Sequence, residues 1–250
     1  MIGLVSPQAM MKSMVNHYSR VTNPTIYENG KLYFSDLTLN GFLNSVESME
    51  SFRPAIEVDL IENKVTLIEK IKVPDFYKEK TWQAYWGNFS RIKNDDLWIY
   101  SWKAMDSLLI FDENMNLLKS VNAKSEFAKP LNTSSGDQTV EVQFQESITQ
   151  TSYTSILYDP YREVYYRFVL IGRALDDSYL EDQFPTLKND FSIIVLDKDF
   201  NILTEKRFPS KIHYPYKSFV GKKGLYLSRT NPFYEDINED EVVFDVYEFT

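Results

Sequence analysis

The sequence predicts an all-β fold, a propeller-like stack of about four units of four antiparallel strands each, and three observations carry that prediction. Aromatic residues are abundant, with 17 Tyr, 17 Phe and 4 Trp in 250 residues, and such side chains favour the pleated, half-buried faces of strands. Apolar and polar residues alternate along several segments, which is the period of a strand. A polar turn followed by an apolar-aromatic run recurs four times along the chain.

The first segment is the exception. Ser6-Pro7 supplies an N-cap and a first-turn proline, Met10, Met14 and Tyr18 then follow at helical spacing, and Asn23-Pro24 closes the segment. A short N-terminal helix is expected over Ser6 to Val21, within a lead-in of residues 1–24. From Thr25 the period changes to two. Val65, Leu67, Ile71 and Val73 share one face, broken by Glu69. Val140, Val142 and Phe144 alternate with Glu141, Gln143 and Gln145, and Val242, Phe244 and Val246 do the same near the end. All three stretches are expected to be strands.

The recurring runs are Asn29 to Phe34, Asn94 to Ile99, Tyr161 to Tyr166 and Lys222 to Leu227, spaced roughly 65 residues apart. The first three are each followed by a strand, a polar turn and another strand: Ile56 to Leu60 into Asn63, Leu108 to Phe111 into Asp112, and Ile193 to Leu196 into Asp197. The units are expected to start near residues 25, 82, 138 and 213 of one domain spanning 1–250. A lone four-stranded sheet cannot bury both its faces, whereas stacked sheets cover each other. The repeat exceeds the ~40–50 residues of familiar blades, and long connections at 40–51, 128–136 and 176–189 account for the excess. Four units read either as a small propeller or as an incomplete part of a larger one. An elongated or two-sheet β protein is the alternative.

Composition narrows the function classes. Hydrophobic residues at 43% and charged residues at 25% describe an ordinary globular chain, not a disordered one. Only 8 Gly leave Asn and Asp to carry many of the turns. A net charge of −9 argues against nucleic acid and anionic membranes as partners, since both select basic surfaces, and its simplest role is solubility. With no cysteine, disulfides, thiolate zinc sites, iron–sulfur clusters and cysteine nucleophiles are excluded. No stretch approaches the ~18 apolar residues of a membrane span. Met1 to Val5 lacks the charged start and apolar run of a secretory signal, which points to the cytoplasm or to a chain that lacks its original front end.

Tyr158-Asp159-Pro160-Tyr161-Arg162-Glu163-Val164-Tyr165-Tyr166-Arg167-Phe168, the run Ile194 to Ile202, and Phe219 to Leu227 resemble a family of uncharacterised, domain-of-unknown-function lipoproteins from gut-type Gram-negative bacteria. The resemblance is clearest from Ser152 to Thr250 and continues in style back to about Thr25. It implies a propeller-like fold of about six blades and a periplasmic or outer-membrane-anchored address. It implies no chemistry, because the family has no established activity. The chain departs from the family in having no lipobox cysteine or signal peptide and in being shorter.

Motifs with chemical content are few. Asp197-Lys198-Asp199-Phe200-Asn201 opens like a calcium loop, but its sixth position is Ile202 and its twelfth Phe208, where Gly and Glu are required; Asp112 to Asn116 fails at Leu117 and Ala123. Both read as Asx-capped turns. The acidic runs at Asp176-Asp177, Glu181-Asp182 and Glu235 to Glu241 read as solvated loops. No metal and no cofactor are expected. Of the two histidines, His213 in His213-Tyr214-Pro215-Tyr216 is the better candidate, because it opens the last unit where a strand approaches the central channel; His17 is the other. There is no G-x-S-x-G elbow, and Gly221-Lys222-Lys223-Gly224 is not a phosphate loop. Tyrosine and arginine are favoured at binding hot spots, which singles out the group from Tyr158 to Arg167 and, with less basic character, Trp82, Tyr85 and Trp86. The candidate ligand contacts are Tyr158, Arg162, Arg167, His213 and Tyr214. The expected function is that of a monomeric binding or scaffold module, not an enzyme, for a protein, peptide or glycan. The alternative is a propeller hydrolase or lyase with carboxylates or His213 at the channel mouth.

Overall fold

The computed structural model describes residues 22–35, 45–133, 139–176, 179, 182–238 and 240–249. The helix expected over Ser6 to Val21 lies outside the described residues. Sheet 1 contains β1 (Ile26–Glu28), β2 (Lys31–Ser35), β3 (Ala55–Asp59) and β4 (Lys64–Leu67), with α1 (Val46–Ser51) between β2 and β3. Sheet 2 contains β5 (Phe89–Asn94), β6 (Leu97–Trp102), β7 (Ser107–Phe111) and β8 (Leu117–Asn122). After α2 (Val140–Thr149), sheet 3 contains β9 (Ser152–Asp159), β10 (Val164–Leu170), β11 (Phe191–Leu196) and β12 (Ile202–Phe208). Sheet 4 contains β13 (Tyr214–Gly221), β14 (Gly224–Ser228) and β15 (Phe244–Tyr247). Strands run in sequence order within every sheet, and every neighbouring pair is antiparallel. Four consecutive meanders are the expected all-β, propeller-like repeat.

Turn chemistry follows the residues available. Asn29 and Gly30, both at positive φ (50° and 80°), close β1–β2 as the two-residue hairpin favoured by strand twist. Asp197 accepts from the backbone N–H groups of Asp199 and Asn201 at 2.9 and 2.8 Å, and Asp112 accepts from Asn116 N at 2.7 Å. The calcium-loop look-alikes are thus capped turns whose carboxylates are spent on the backbone.

Two expected strands differ from the structure. Val140 to Phe144 belong to helix α2: the Thr139 hydroxyl caps its start by accepting from Val142 N at 3.3 Å, Glu141 lies in its first turn, and Ile148 is buried. Cap and first-turn acid outweigh five residues of alternation, and Phe144 stays 40% exposed. The stretch Val65 to Val73 is not one strand either. The chain turns after Leu67, with Ile71 N–H donating to Ile68 O at 3.2 Å, so Val65 and Leu67 lie exposed while Ile71 and Val73 enter the core.

Alternation along each second strand sends side chains to opposite neighbours. In β6, Trp98 and Tyr100 pack towards sheet 1 and Ile99 towards sheet 3; in β10, Tyr165 packs towards sheet 2, and Tyr166 and Phe168 towards sheet 4. Three apolar seams result, one for each successive pair of sheets. The first is aromatic, with Tyr33 edge-on to Trp98 at 5.2 Å and Phe89 against Trp102 at 4.8 Å. The third stacks Phe191 on Phe208 at 4.9 Å. Among the described residues no seam joins sheet 4 to sheet 1. In β15 the core-facing side chain is Tyr247, against Leu225. The sequence's alternating Phe244 and Val246 lie on the other face, beside Phe219 and Tyr226.

Two fully buried arginines sit in these seams. Arg167 spends its whole guanidinium: Nη1 donates to Asp106 O and Ala123 O at 2.6 and 2.8 Å, Nη2 to Met105 O at 2.7 Å, and Nε to Ser101 Oγ at 3.0 Å. Burial lowers its pKa to about 10, so it remains charged at neutral pH. Arg91 donates only through Nη2, to Pro24 O and Tyr33 O, and its Nε and Nη1 have no partner.

Removing a donor from a fully used carbonyl cradle leaves several buried acceptors unpaired, at a cost of roughly 1–3 kcal/mol each. Arg167→Met is therefore expected to destabilise by roughly 3 kcal/mol or more, and Arg91→Met by clearly less, measured as the difference in urea unfolding free energies. The reverse order would refute this reading of the seams. Gly224 sits at φ +141°, and a Cβ there would stand 2.3 Å from Tyr247 O on β15. Gly224→Ala is expected to cost on the order of 2–3 kcal/mol and to raise hydrogen exchange in β15 first.

Candidate ligand-binding end

The two ends of the stack are built differently. At one end lie the short turns at 29–30, 95–96, 160–163 and 222–223, together with those at 60–63, 112–116 and 197–201. At the other lie the long connections: α1, the segment 68–88, the segment 123–133, α2, and residues 171–176, 182–190, 229–238 and 240–243. Binding groups concentrate on long connections carried by a rigid frame, so the second end is the candidate. There β5 and β9 touch as the first strands of their sheets, with Ile156 N–H donating to Ser90 Oγ at 3.0 Å.

A cleft of about 510 Å³ opens at this end between sheets 2 and 3. Its walls come from the β6–β7 turn, the segment after β8, the start of β9 and the connection before β5. Phe76 and Trp82 form an aromatic side, with ring centroids 5.4 Å apart. Tyr153 forms the floor, donating to Asp106 Oδ1 at 2.7 Å and accepting from Ser125 N at 3.2 Å. Burial pushes the Tyr153 phenol up, so it stays protonated. Lys124 closes on Asp106 Oδ2 at 3.1 Å. Thr151, 7% exposed, lines the cleft, and its hydroxyl is buried without a partner. Beneath them Arg167 holds the carbonyls of Met105 and Asp106 and lies 3.6 Å from the Tyr153 ring centroid. The cleft is of the size and mixed character that ligand sites have. Among the described residues no group of three His, Asp or Glu is placed to hold a metal.

The residues singled out from the sequence do not gather in one place. Arg167 is the support beneath the cleft. Tyr158 packs on Tyr165 at 5.0 Å in the second seam. Arg162 lies at the short-turn end, joining Asp159 Oδ2 at 3.2 Å to Glu248 Oε1 at 3.0 Å and so tying sheet 3 to sheet 4. His213 and Tyr214 stand at the long-connection end, where β13 begins. His213 is buried among Phe191, Phe208 and Tyr247, with Nε2 at 2.8 Å from Asp245 Oδ2. Its Nδ1 is buried without a partner, so neither ring nitrogen faces a space where a reacting group would sit. Of the aromatic group Trp82, Tyr85 and Trp86, the two tryptophans are core residues. The cleft residues Phe76, Asp106, Lys124, Thr151 and Tyr153 escaped sequence reasoning, since they come from four separated segments and share no local motif.

The architecture defines a class of protein, a β-propeller-type stack that presents a cleft and long connections at one end. Comparison then supplies the family. Residues 8–207 match the family described as "Domain of unknown function (DUF4221)", and the chain belongs to it. A solved member of that family from Bacteroides vulgatus is similar to this chain at 26% sequence identity and a TM-score of 0.75, over 90% of this chain and 62% of its own. This chain thus spans less than two thirds of that relative. A calcium-binding regucalcin from Agrobacterium tumefaciens aligns over 93% of this chain and 62% of its own at 10% identity, with a TM-score of 0.34, a likeness too slight to carry an argument. No curated protein matches the chain.

The enclosure of His213 has a consequence for stability. Burial holds its pKa below the usual histidine range, against the opposing pull of Asp245. The folded state therefore prefers neutral imidazole, and the unfolded chain takes up a proton first as pH falls. Stability is expected to drop as pH falls through the unfolded-chain value of about 6.5 and on towards the lower folded-state value, with a smaller drop in His213→Gln. Equal slopes of the urea midpoint against pH in the two proteins would sink this account.

Proposed function

We propose that this chain is a recognition module that holds a peptide or glycan segment in the cleft between sheets 2 and 3. The observation that carries the reading is the cleft itself, about 510 Å³, with an aromatic side at Phe76 and Trp82 and the unpartnered hydroxyl of Thr151. Aromatic faces take the apolar side of a sugar ring or a side chain. A buried hydroxyl without a partner is costly until a ligand group meets it. Asp106, Lys124 and Tyr153 add fixed polar contacts on an arginine-supported floor. A stiff frame of seams keeps these groups in place, which limits the ordering cost of binding.

The test is a binding screen of the full chain on glycan and peptide arrays, followed by titration of the best hit. Phe76→Ala and Thr151→Val are each expected to weaken that hit by about tenfold or more while leaving thermal unfolding within a few degrees of the parent. A hit indifferent to both substitutions would place binding elsewhere.

A further inference from the structure

A second feature of the same end is independent of the cleft. Lys103, directly after β6, is 9% exposed. Its backbone is fixed on both sides: its N–H donates to Asn88 O at 3.0 Å, and its carbonyl accepts from Tyr153 N at 2.9 Å. Its ammonium lies 3.4 Å from the ring centroid of Tyr85. Among the described residues no carboxylate comes within ion-pairing distance of it and no acceptor takes its protons. The cation–π contact stands in only in part for an anion at this ammonium. The nearby buried carboxylate, Glu146 on α2, accepts from Trp86 Nε1 at 3.2 Å.

Further phenols stand next to Tyr85 at this end. The Tyr85 hydroxyl lies 3.4 Å from Ser152 Oγ at the start of β9. Tyr214 and Tyr216, at the start of β13, meet edge to face at 6.0 Å. Tyr216 stays protonated: burial raises its pKa, and the neighbouring phenols of Tyr85 and Tyr214 raise it further, against a smaller lowering by a hydrogen bond with Thr186. The cation and three phenols thus stand where the first strands of sheets 2, 3 and 4 begin, around the axis of the stack.

We infer that this axial mouth is an oxyanion site, in which the Lys103 ammonium and the hydroxyls of Tyr85, Tyr214 and Tyr216 hold a carboxylate or phosphate group. Protonated phenols and an ammonium donate to anionic oxygen through short, charge-assisted hydrogen bonds. Both sources share the same chemistry, and the probe separates them.

The experiment is isothermal titration of the full chain with inorganic phosphate and with acetate, at ionic strength matched by sodium chloride. Saturable binding of at least one oxyanion, weakened by about tenfold or more in Lys103→Met, is the expected result. Tighter phosphate would mark a phosphate-bearing ligand and tighter acetate a carboxylate-bearing one. Tyr214→Phe, at a partly exposed position, guards against a Lys103 variant that fails to fold, and is expected to weaken binding several-fold. Absence of binding beyond the chloride control overturns the inference, as does parental affinity in either variant.

Discussion

The central strands of sheets 2 and 3 are apolar on both faces, and everything else depends on that. A strand whose odd and even residues are both apolar cannot lie against water on either side, so a sheet made of such strands needs a neighbour on each face. Here β10 is buried along its entire length, and β11 likewise. The sheets therefore stack, and each seam is filled by one row of side chains from either partner. The first seam is tryptophan- and tyrosine-rich, the second largely aliphatic with Tyr165 and Phe200, and the third phenylalanine-rich. The outer face of sheet 4 is what such a stack leaves uncovered, which is why Phe219 and Val246 remain 44% and 43% exposed.

The seams also explain where polar groups are placed. A buried guanidinium is tolerated at Arg167 because the loop between β6 and β7 and the end of β8 turn their carbonyls towards it. The same cradle fixes the loop that carries Asp106 to the rim of the cleft. Support and site are thus one device: a cation inside the stack sets the shape of the surface above it. At the opposite end, tight turns capped by Asp and Asn use their polar groups on their own backbone and leave little to offer a ligand.

Much of the fold was legible in the sequence. The repeated turn-and-strand unit marked four sheets, because strand alternation and turn residues are local signals that survive any tertiary arrangement. Where reading failed, the competing signals were local too. Five alternating residues at Val140 to Phe144 resembled a strand, but the Thr139 cap and a buried Ile148 decided for a helix. Arg167 was picked out as a contact residue for its chemistry, and the structure puts it one layer below the surface. Arg162 likewise joins two sheets at the short-turn end.

By itself the sequence determined the class of fold, the spacing of its units, the absence of thiol chemistry and the acidic character of the surface. These are properties of composition and of residues near one another in the chain. Only the tertiary structure decided which loops share an end, that Phe76, Asp106, Lys124, Thr151 and Tyr153 line one cleft, and that Lys103 faces Tyr85 without an anion. Those relations join segments tens of residues apart, and they arise from how sheets stack, a packing outcome that no local pattern encodes.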